Sequence, residues 1–424
     1  MISVTTGASG GGNQSLFYPH AVDSRAAAGC YASVSSTSNQ PGILFTAFEP
    51  SGDRLAAPVI SHLRTQLPEV PVYAWGGERM EAAGARLLEN TCRESDMLVP
   101  ALSVIREHLA VRRRIADFLK TTDILLHVPV DAPAANFPIC RLSRKKGCTI
   151  VHLVAPQLWA WAEGRIRKLR RLTDLVLCLL PFEEQWFKER GVPAVYIGHP
   201  LFESTPEQDG RPVALPRGGP RLALLPGSRP AEIRNNFPLM VRSFLELRIR
   251  HRGLTAVAVA ADEAVAQRLA DMAKDTPDDL VIVTDSLEHV LDWCDLALAT
   301  SGTVTLQVAR SGKPMIVVYR LKRGLSWLLY RTIGPFLMTS KYFALPNVLA
   351  GERIVEEFAP HFGGHSRVTK TVGRYLDDTR LGAAQSAKLR EVIQPFLDRN
   401  ASQSGAAEII RMYQRHREAR EAEK

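Results

Sequence analysis

The chain has 424 residues, of which 46% are hydrophobic and 23% charged, a composition that excludes a wholly disordered chain and a small disulfide scaffold. Its length exceeds what one core usually supports, so two domains are expected. Its 53 Lys and Arg against 44 Asp and Glu leave +9, which calls for an anionic partner: nucleic acid, a membrane surface or a phosphorylated metabolite.

In chain order, residues 1–40 are rich in Gly, Ser, Ala and Asn without a sustained period, and read as a disordered N-terminal extension lacking a secretory-signal layout. From Gly42, short apolar runs alternate with helix-length amphipathic segments. The runs are Ile43–Phe48, Val72–Trp75, Ile124–Val130, Thr149–Val154, Leu175–Leu180 and Val195–Ile197. Such runs predict buried parallel strands in βαβ units. A Pro/Gly/acid-rich linker over 204–220 follows, and the alternation resumes at Leu222–Leu225, Ala256–Ala261, Leu280–Val283, Leu296–Ala299 and Met315–Val318. The expected architecture is α/β: two Rossmann-like domains, 41–203 and 221–395, facing each other across a cleft, with a helical tail over 396–424 that packs back on the first. The six cysteines show no CxxC pair or Cys/His cluster, so a reducing cytosol and no metal site are expected. The most apolar segment, Leu325 to Met338, is too short for a spanning helix and contains Arg331.

Several junctions carry candidate chemistry. Pro226-Gly227-Ser228-Arg229 lies between a strand and a helix, where Ser228 suits an N-cap and Arg229 adds a planar charged fork toward an anion. Ser301-Gly302-Thr303 opens a second such helix, so two phosphate cradles on one sheet suggest a diphosphate. Neither fits the GxGxxG or Walker patterns, which argues against NAD and ATP and leaves a nucleoside-diphosphate donor. In the first domain, Glu49-Pro50-Ser51-Gly52-Asp53 follows one strand and Asp131-Ala132-Pro133 another. Carboxylates at strand ends suit a general base, and they equally suit helix caps. His199, in Gly198-His199-Pro200, is kept as a candidate at the cleft hinge. The aromatic and basic stretch Pro156 to Arg171 suggests a solvated or membrane-facing helix rather than nucleic-acid binding. Met97 to Ile105, leading into Arg112-Arg113-Arg114, reads either as a helix able to dock on anionic lipid or as a core helix with a basic end.

In this order and spacing, these motifs, with Gly76-Gly77-Glu78-Arg79-Met80, Pro156-Gln157-Leu158-Trp159-Ala160-Trp161, Leu180-Pro181-Phe182-Glu183 and Leu345-Pro346-Asn347-Val348-Leu349-Ala350, resemble the lipid-A-disaccharide synthases. These are GT-B glycosyltransferases of Gram-negative outer-membrane biogenesis. The resemblance, from about Ile43 to Phe358, implies transfer of diacylglucosamine from UDP to diacylglucosamine 1-phosphate, giving a β-1,6 disaccharide with inversion and UDP release, without cofactor or metal. By resemblance Asp131 is the general base, and Glu49, Ser51 and Asp53 form the active-site loop. Arg229, Ser228, Ser301, Gly302, Thr303, Gln307 and Asn347 take UDP. Met97, Leu98, Val99, Leu102, Val104 and Ile105 form a patch for acyl chains and membrane. The implied location is the cytoplasmic face of the inner membrane, peripherally bound, with no nucleic-acid partner and the oligomeric state left open. The chain departs from the family pattern at Phe48 (Gly), expected to crowd the loop, at Ala134 (Asp), Gln307 (Glu) and Pro360 (Gln). These departures leave two other readings: a catalytically weak or silent paralogue that binds nucleotide sugar, and a UDP-sugar transferase with another acceptor.

Overall fold

The computed structural model describes residues 40–92, 101–160, 163–203, 213–321 and 340–423. The predicted extension before Gln40, most of the linker and the segment Leu325 to Met338 lie outside them. The described residues gather into two compact units: apart from Ala160, which is grouped with the second, the chain stays in the first to Glu203 and returns to it at Arg399.

The first unit runs β1 (Gly42–Thr46), α1 (Pro50–Gln66), β2 (Val72–Gly76), α2 (Glu78–Ala82), β3 (Arg86–Asn90), α3 (Ala101–Thr121), β4 (Ile124–Pro129), α4 (Pro133–Lys145), β5 (Thr149–Leu153), α5 (Ile166–Leu172), β6 (Leu175–Cys178), α6 (Pro181–Lys188) and β7 (Ala194–Tyr196). Its seven strands are parallel in the order β3-β2-β1-β4-β5-β6-β7. Helices cover both faces, which is why β1 shows no polar alternation. Ile43 and Phe45 join one cluster with Val59, Ile60 and Leu63 of α1, while Leu44 joins another with Ile115 and Phe118 of α3.

The second unit runs β8 (Arg221–Leu225), α7 (Pro230–Arg250), β9 (Thr255–Ala260), α8 (Glu263–Ala273), β10 (Leu280–Thr284), α9 (Leu287–Trp293), β11 (Leu296–Thr300), α10 (Val304–Arg310), β12 (Met315–Arg320), α11 (Leu345–Ala350), β13 (Glu356–His361), α12 (Ser366–Asp377) and α13 (Thr379–Leu397). Its parallel sheet, ordered β10-β9-β8-β11-β12-β13, repeats the Rossmann pattern, with Phe237, Met240 and Phe244 of α7 filling one face. The last helix, α14 (Ala401–Ala422), falls within the predicted tail and belongs to the first unit. Its Ile409, Ile410 and Tyr413 enter the α1 cluster, and the Tyr413 hydroxyl donates to the Pro41 carbonyl at 2.6 Å.

Two strands escape the apolar-run signal. β3 and β13 are sheet edges whose side chains are mostly only half-buried, unlike those of the other two edges, β7 and β10, and they carry Arg86 and Glu89, and Glu356 and Glu357. Pro360, lacking an N–H, sits on the β13 edge beside a register shift, where such a residue is tolerated.

His127 of β4 and His152 of β5 are fully buried, and burial pulls them down to about 3 and about 4. Their folded values lie below the ordinary 6.5, so the stability they contribute is present above pH 6.5 and is lost as pH falls toward 4 and 3. Buried Glu183, pushed up to about 7, works oppositely: its contribution is present below 4.5 and lost as pH rises through 7. With His199, which burial also lowers to about 4, three histidine protons stand against one on Glu183, so the net loss between pH 6.5 and 4.5 is about 2.7 kcal/mol per pH unit. In His152→Phe that slope should drop by about 1.4 kcal/mol per unit, read from urea midpoints against pH. An unchanged slope would refute it.

Candidate functional site

In open parallel sheets, ligands gather beyond the carboxyl ends of the strands where the strand order reverses. Here those points are β1/β4 in the first unit and β8/β11 in the second. Thr46 pairs with Pro129, and Leu225 with Ala299, so in each unit the two loops that follow begin side by side.

At the β1/β4 point, Asp131 and Ala132 both have positive φ, 45° and 39°, a left-handed pair that non-glycine residues rarely adopt. The surroundings hold this bend. The Asp131 amide donates to the Leu153 carbonyl at 3.0 Å and the Val130 amide to Thr46 at 2.9 Å. Fully buried Asn136 donates from Nδ2 to the Val130 and Asp131 carbonyls at 3.0 and 2.8 Å. Its Oδ1 accepts from the Thr46 hydroxyl at 2.7 Å, and that hydroxyl lies 2.9 Å from His127 Nε2. A chain of buried polar groups thus fixes the bend that carries Asp131, as strained functional backbone requires.

The β1 loop divides its predicted residues. Glu49 is exposed at the N-cap position of α1, and Ser51 is half-buried. Asp53 is buried, and its carboxylate accepts from the amides of Gly77, Arg79 and Met80 at 3.0–3.2 Å. In this arrangement Asp53, expected in the catalytic loop, anchors the start of α2 through the backbone. Gly77 is required there, because a Cβ would come within 2.4 Å of Asp53 Oδ2. Phe48 does not crowd the loop; its ring packs against the α3 cluster, 5.8 Å from the His108 ring. His199, expected at the hinge, serves as a cap. Its Nδ1 accepts from the Leu201 amide at 3.1 Å, capping a short 3-10 turn, and burial lowers it to about 4.

At the β8/β11 point, Gly227 has φ 97°, and a Cβ would meet Glu232 Oε2 at 2.6 Å. The N-cap position of α7 falls on Arg229, not the predicted Ser228, with Pro230 in its first turn and no side-chain cap. The amides of this 21-residue helix therefore have no side-chain cap acceptor at its N-terminus. Arg229 is 78% exposed and touches only Glu232 at 3.5 Å among the ion pairs of the described residues. Across the β8/β11 seam, Gly302 and Thr303 are exposed and Gln307 is half-buried.

Two residues expected to take UDP bond the backbone of their own unit. The Ser301 hydroxyl donates its one proton to the Phe343 carbonyl at 2.8 Å. Fully buried Asn347 bonds the backbone of Ile354 and Val355 at 2.8–2.9 Å, tying α11 to the approach of β13. Sequence reasoning missed Glu357, which accepts from the Phe343 and Ala344 amides, and Asn236, which joins Thr300 to the Arg320 amide. A polar residue on an apolar helix face, as at Asn236 between Ile233 and Phe237, was the available signal. Of the predicted lipid patch, Met97, Leu98 and Val99 lie outside the described residues, and Leu102, Val104 and Ile105 fall on the first turns of α3.

The model of the lipid-A-disaccharide synthetase family matches residues 43–404. The chain belongs to that family. It is 32% identical over 380 residues to the lipid-A-disaccharide synthase of Pseudomonas aeruginosa, covering 88% of this chain and 98% of that one. It is 29% identical to that of Geobacter sulfurreducens, covering 87% and 97%. Among solved structures it resembles a co-structure of S. aureus MnaA with UDP, at TM-score 0.58 and 11% identity over 86% of this chain and 94% of that one, a likeness of fold. The fold is the GT-B type, and membership in the lipid-A-disaccharide synthetase family makes the chain a glycosyltransferase with a nucleotide-sugar donor and a phosphorylated sugar acceptor. Among the described residues, no helix is long and apolar enough to cross a membrane.

Proposed function

We propose that the donor is UDP-diacylglucosamine and the acceptor diacylglucosamine 1-phosphate, with Asp131 as the base. Asp131 takes the proton of the acceptor's 6-hydroxyl as that oxygen attacks the anomeric carbon of the donor. The bond to the phosphate oxygen breaks on the opposite side, the anomeric centre inverts, and UDP departs. Arg229 and the free amides at the start of α7 meet the negative charge that grows on the diphosphate. Thr303 and the amides after Gly302 flank them, and Gln307 accepts a ribose hydroxyl. Asp53, Ser301, Asn347 and His199 act by holding backbone.

The observation that carries this reading is the carboxylate of Asp131 on a strained bend at a switch point, inside the motif order of the family. UDP release from detergent-dispersed lipid substrates tests it, and absence of release would refute it. In Arg229→Ala, UDP affinity should fall about 10- to 100-fold by calorimetry, the loss of a charge-assisted bond pair. A change below threefold would remove Arg229 from the donor site. Because the acceptor is a lipid, the enzyme works at the cytoplasmic surface of the inner membrane.

A further inference from the structure

The basic run from Arg165 to Arg171 has no part in the chemistry above, yet it is the most concentrated charge in the first unit. It lies on and just before α5, which packs beside α4, and α4 beside α3. Between α4 and α5 runs an open groove of about 570 Å³ lined by Arg141, Arg144, Lys145, Arg167, Lys168 and Arg171. Among the described residues, only Arg144 of these six has a carboxylate partner, Asp174 at 2.8 Å. Lys168 rests over the Phe137 ring, 4.7 Å from its centroid, and burial followed by the Arg141 and Arg165 charges lowers it from the ordinary lysine value. Like charges converging on a concave surface repel, and a bound anion removes that cost. The neighbouring helix α3 adds exposed Arg106, Arg112 and Arg113 around Leu109, itself 45% exposed.

We propose that the α4–α5 groove is a second anion site, which takes the phosphate-bearing headgroups of an anionic phospholipid bilayer and seats the enzyme on it. The inference rests on the reading of the substrates as membrane lipids and names the surface that meets the membrane. A bilayer is favoured over a free phosphate because exposed cations are spread over three adjacent helices, more than one small anion spans, and α3 carries an exposed apolar side chain, Leu109. The groove residues of α4, Arg141 to Lys145, sit at the far end of the helix that Asp131 precedes, so the site is separate from the reacting atoms.

The test is co-sedimentation of the full chain with phosphatidylcholine vesicles, with and without a one-third share of phosphatidylglycerol. The wild-type chain should bind only the anionic vesicles, less tightly as salt rises. The triple variant Arg141→Glu, Arg167→Glu, Arg171→Glu should bind them at least about 100-fold more weakly while still turning over detergent-dispersed substrate. Arg144 is spared because Asp174, its partner, also holds the Ile150 amide. The neutralising set Arg141→Gln, Arg167→Gln, Arg171→Gln, checked by melting temperature, should show the same loss if the reversed set fails to fold. Equal binding to neutral vesicles, or undiminished binding by both variants, would overturn the proposal. So would uptake of inorganic pyrophosphate or duplex RNA through these residues by a chain that ignores vesicles. Asp131→Asn should keep vesicle binding, so failure of the catalytic reading and failure of this one are read separately.

Discussion

In Asp131→Asn, turnover should fall by about 10²–10⁴ with melting temperature and UDP affinity unchanged. The substitution is chosen for its backbone. Position 131 holds φ 45°, which asparagine adopts more readily than most residues, so the bend survives while the proton acceptor is lost. Alanine would confound chemistry with strain. Steady-state UDP release gives the rate, and calorimetry gives the donor affinity. A variant turning over within a factor of a few of wild type would exclude Asp131 as the base. One that lost UDP affinity to the same degree as turnover would instead make position 131 a determinant of donor binding.

The second large effect is expected one turn further on. Asn136→Ala removes three buried hydrogen bonds at once: two to the carbonyls of the strained bend and one from Thr46. Each buried group left without a partner costs about 1–3 kcal/mol, so a loss of about 3–4 kcal/mol in stability is expected by urea unfolding. Asn136 touches no substrate in this scheme; it positions Asp131. At temperatures where the variant stays folded, kcat should therefore fall further than KM rises. The conservative Asn136→Asp keeps the Oδ1 bond to Thr46 and should restore less than half of the stability, because a carboxylate cannot donate to the two carbonyls. A variant as stable as wild type would show that the bend holds itself.

Much of this architecture can be read from the chain, and the exceptions have physical causes. Strands buried on both faces announce themselves as apolar runs; β3 and β13, with mostly half-buried side chains, do not. The loops that hold Asp131 and Arg229 were legible because a strand followed by a helix puts its turn at the ligand end of the sheet. What each polar side chain does within those loops was not. Asp53 lies in a catalytic-looking motif, yet spends its oxygens on amides 24 to 27 residues away, a pairing set by packing of α1 against α2. The backbone bonds of Ser301 and Asn347 were equally hidden: the Ser301 partner arrives from Phe343, 42 residues on, and the Asn347 partners from the turn that leads into β13. Asn136 stood in plain view within its motif, where the eye falls on the missing carboxylate of Ala134 rather than on the amide that fixes the bend.

The return of α14 to the first unit has a consequence for how the protein is made. The Tyr413 hydroxyl meets a carbonyl 372 residues earlier, and the core around Ile43 and Phe45 is closed by Ile409 and Ile410. A ribosome releases the chain from its N-terminus, and domains ordinarily complete in that order. Here the order is inverted. The strands and helices of the second unit run in one stretch, β8 to α13, and are all present once Asp398 has emerged, whereas the unit that begins first waits with one apolar face open until α14 follows. Removal of α14 therefore damages the half of the molecule encoded first.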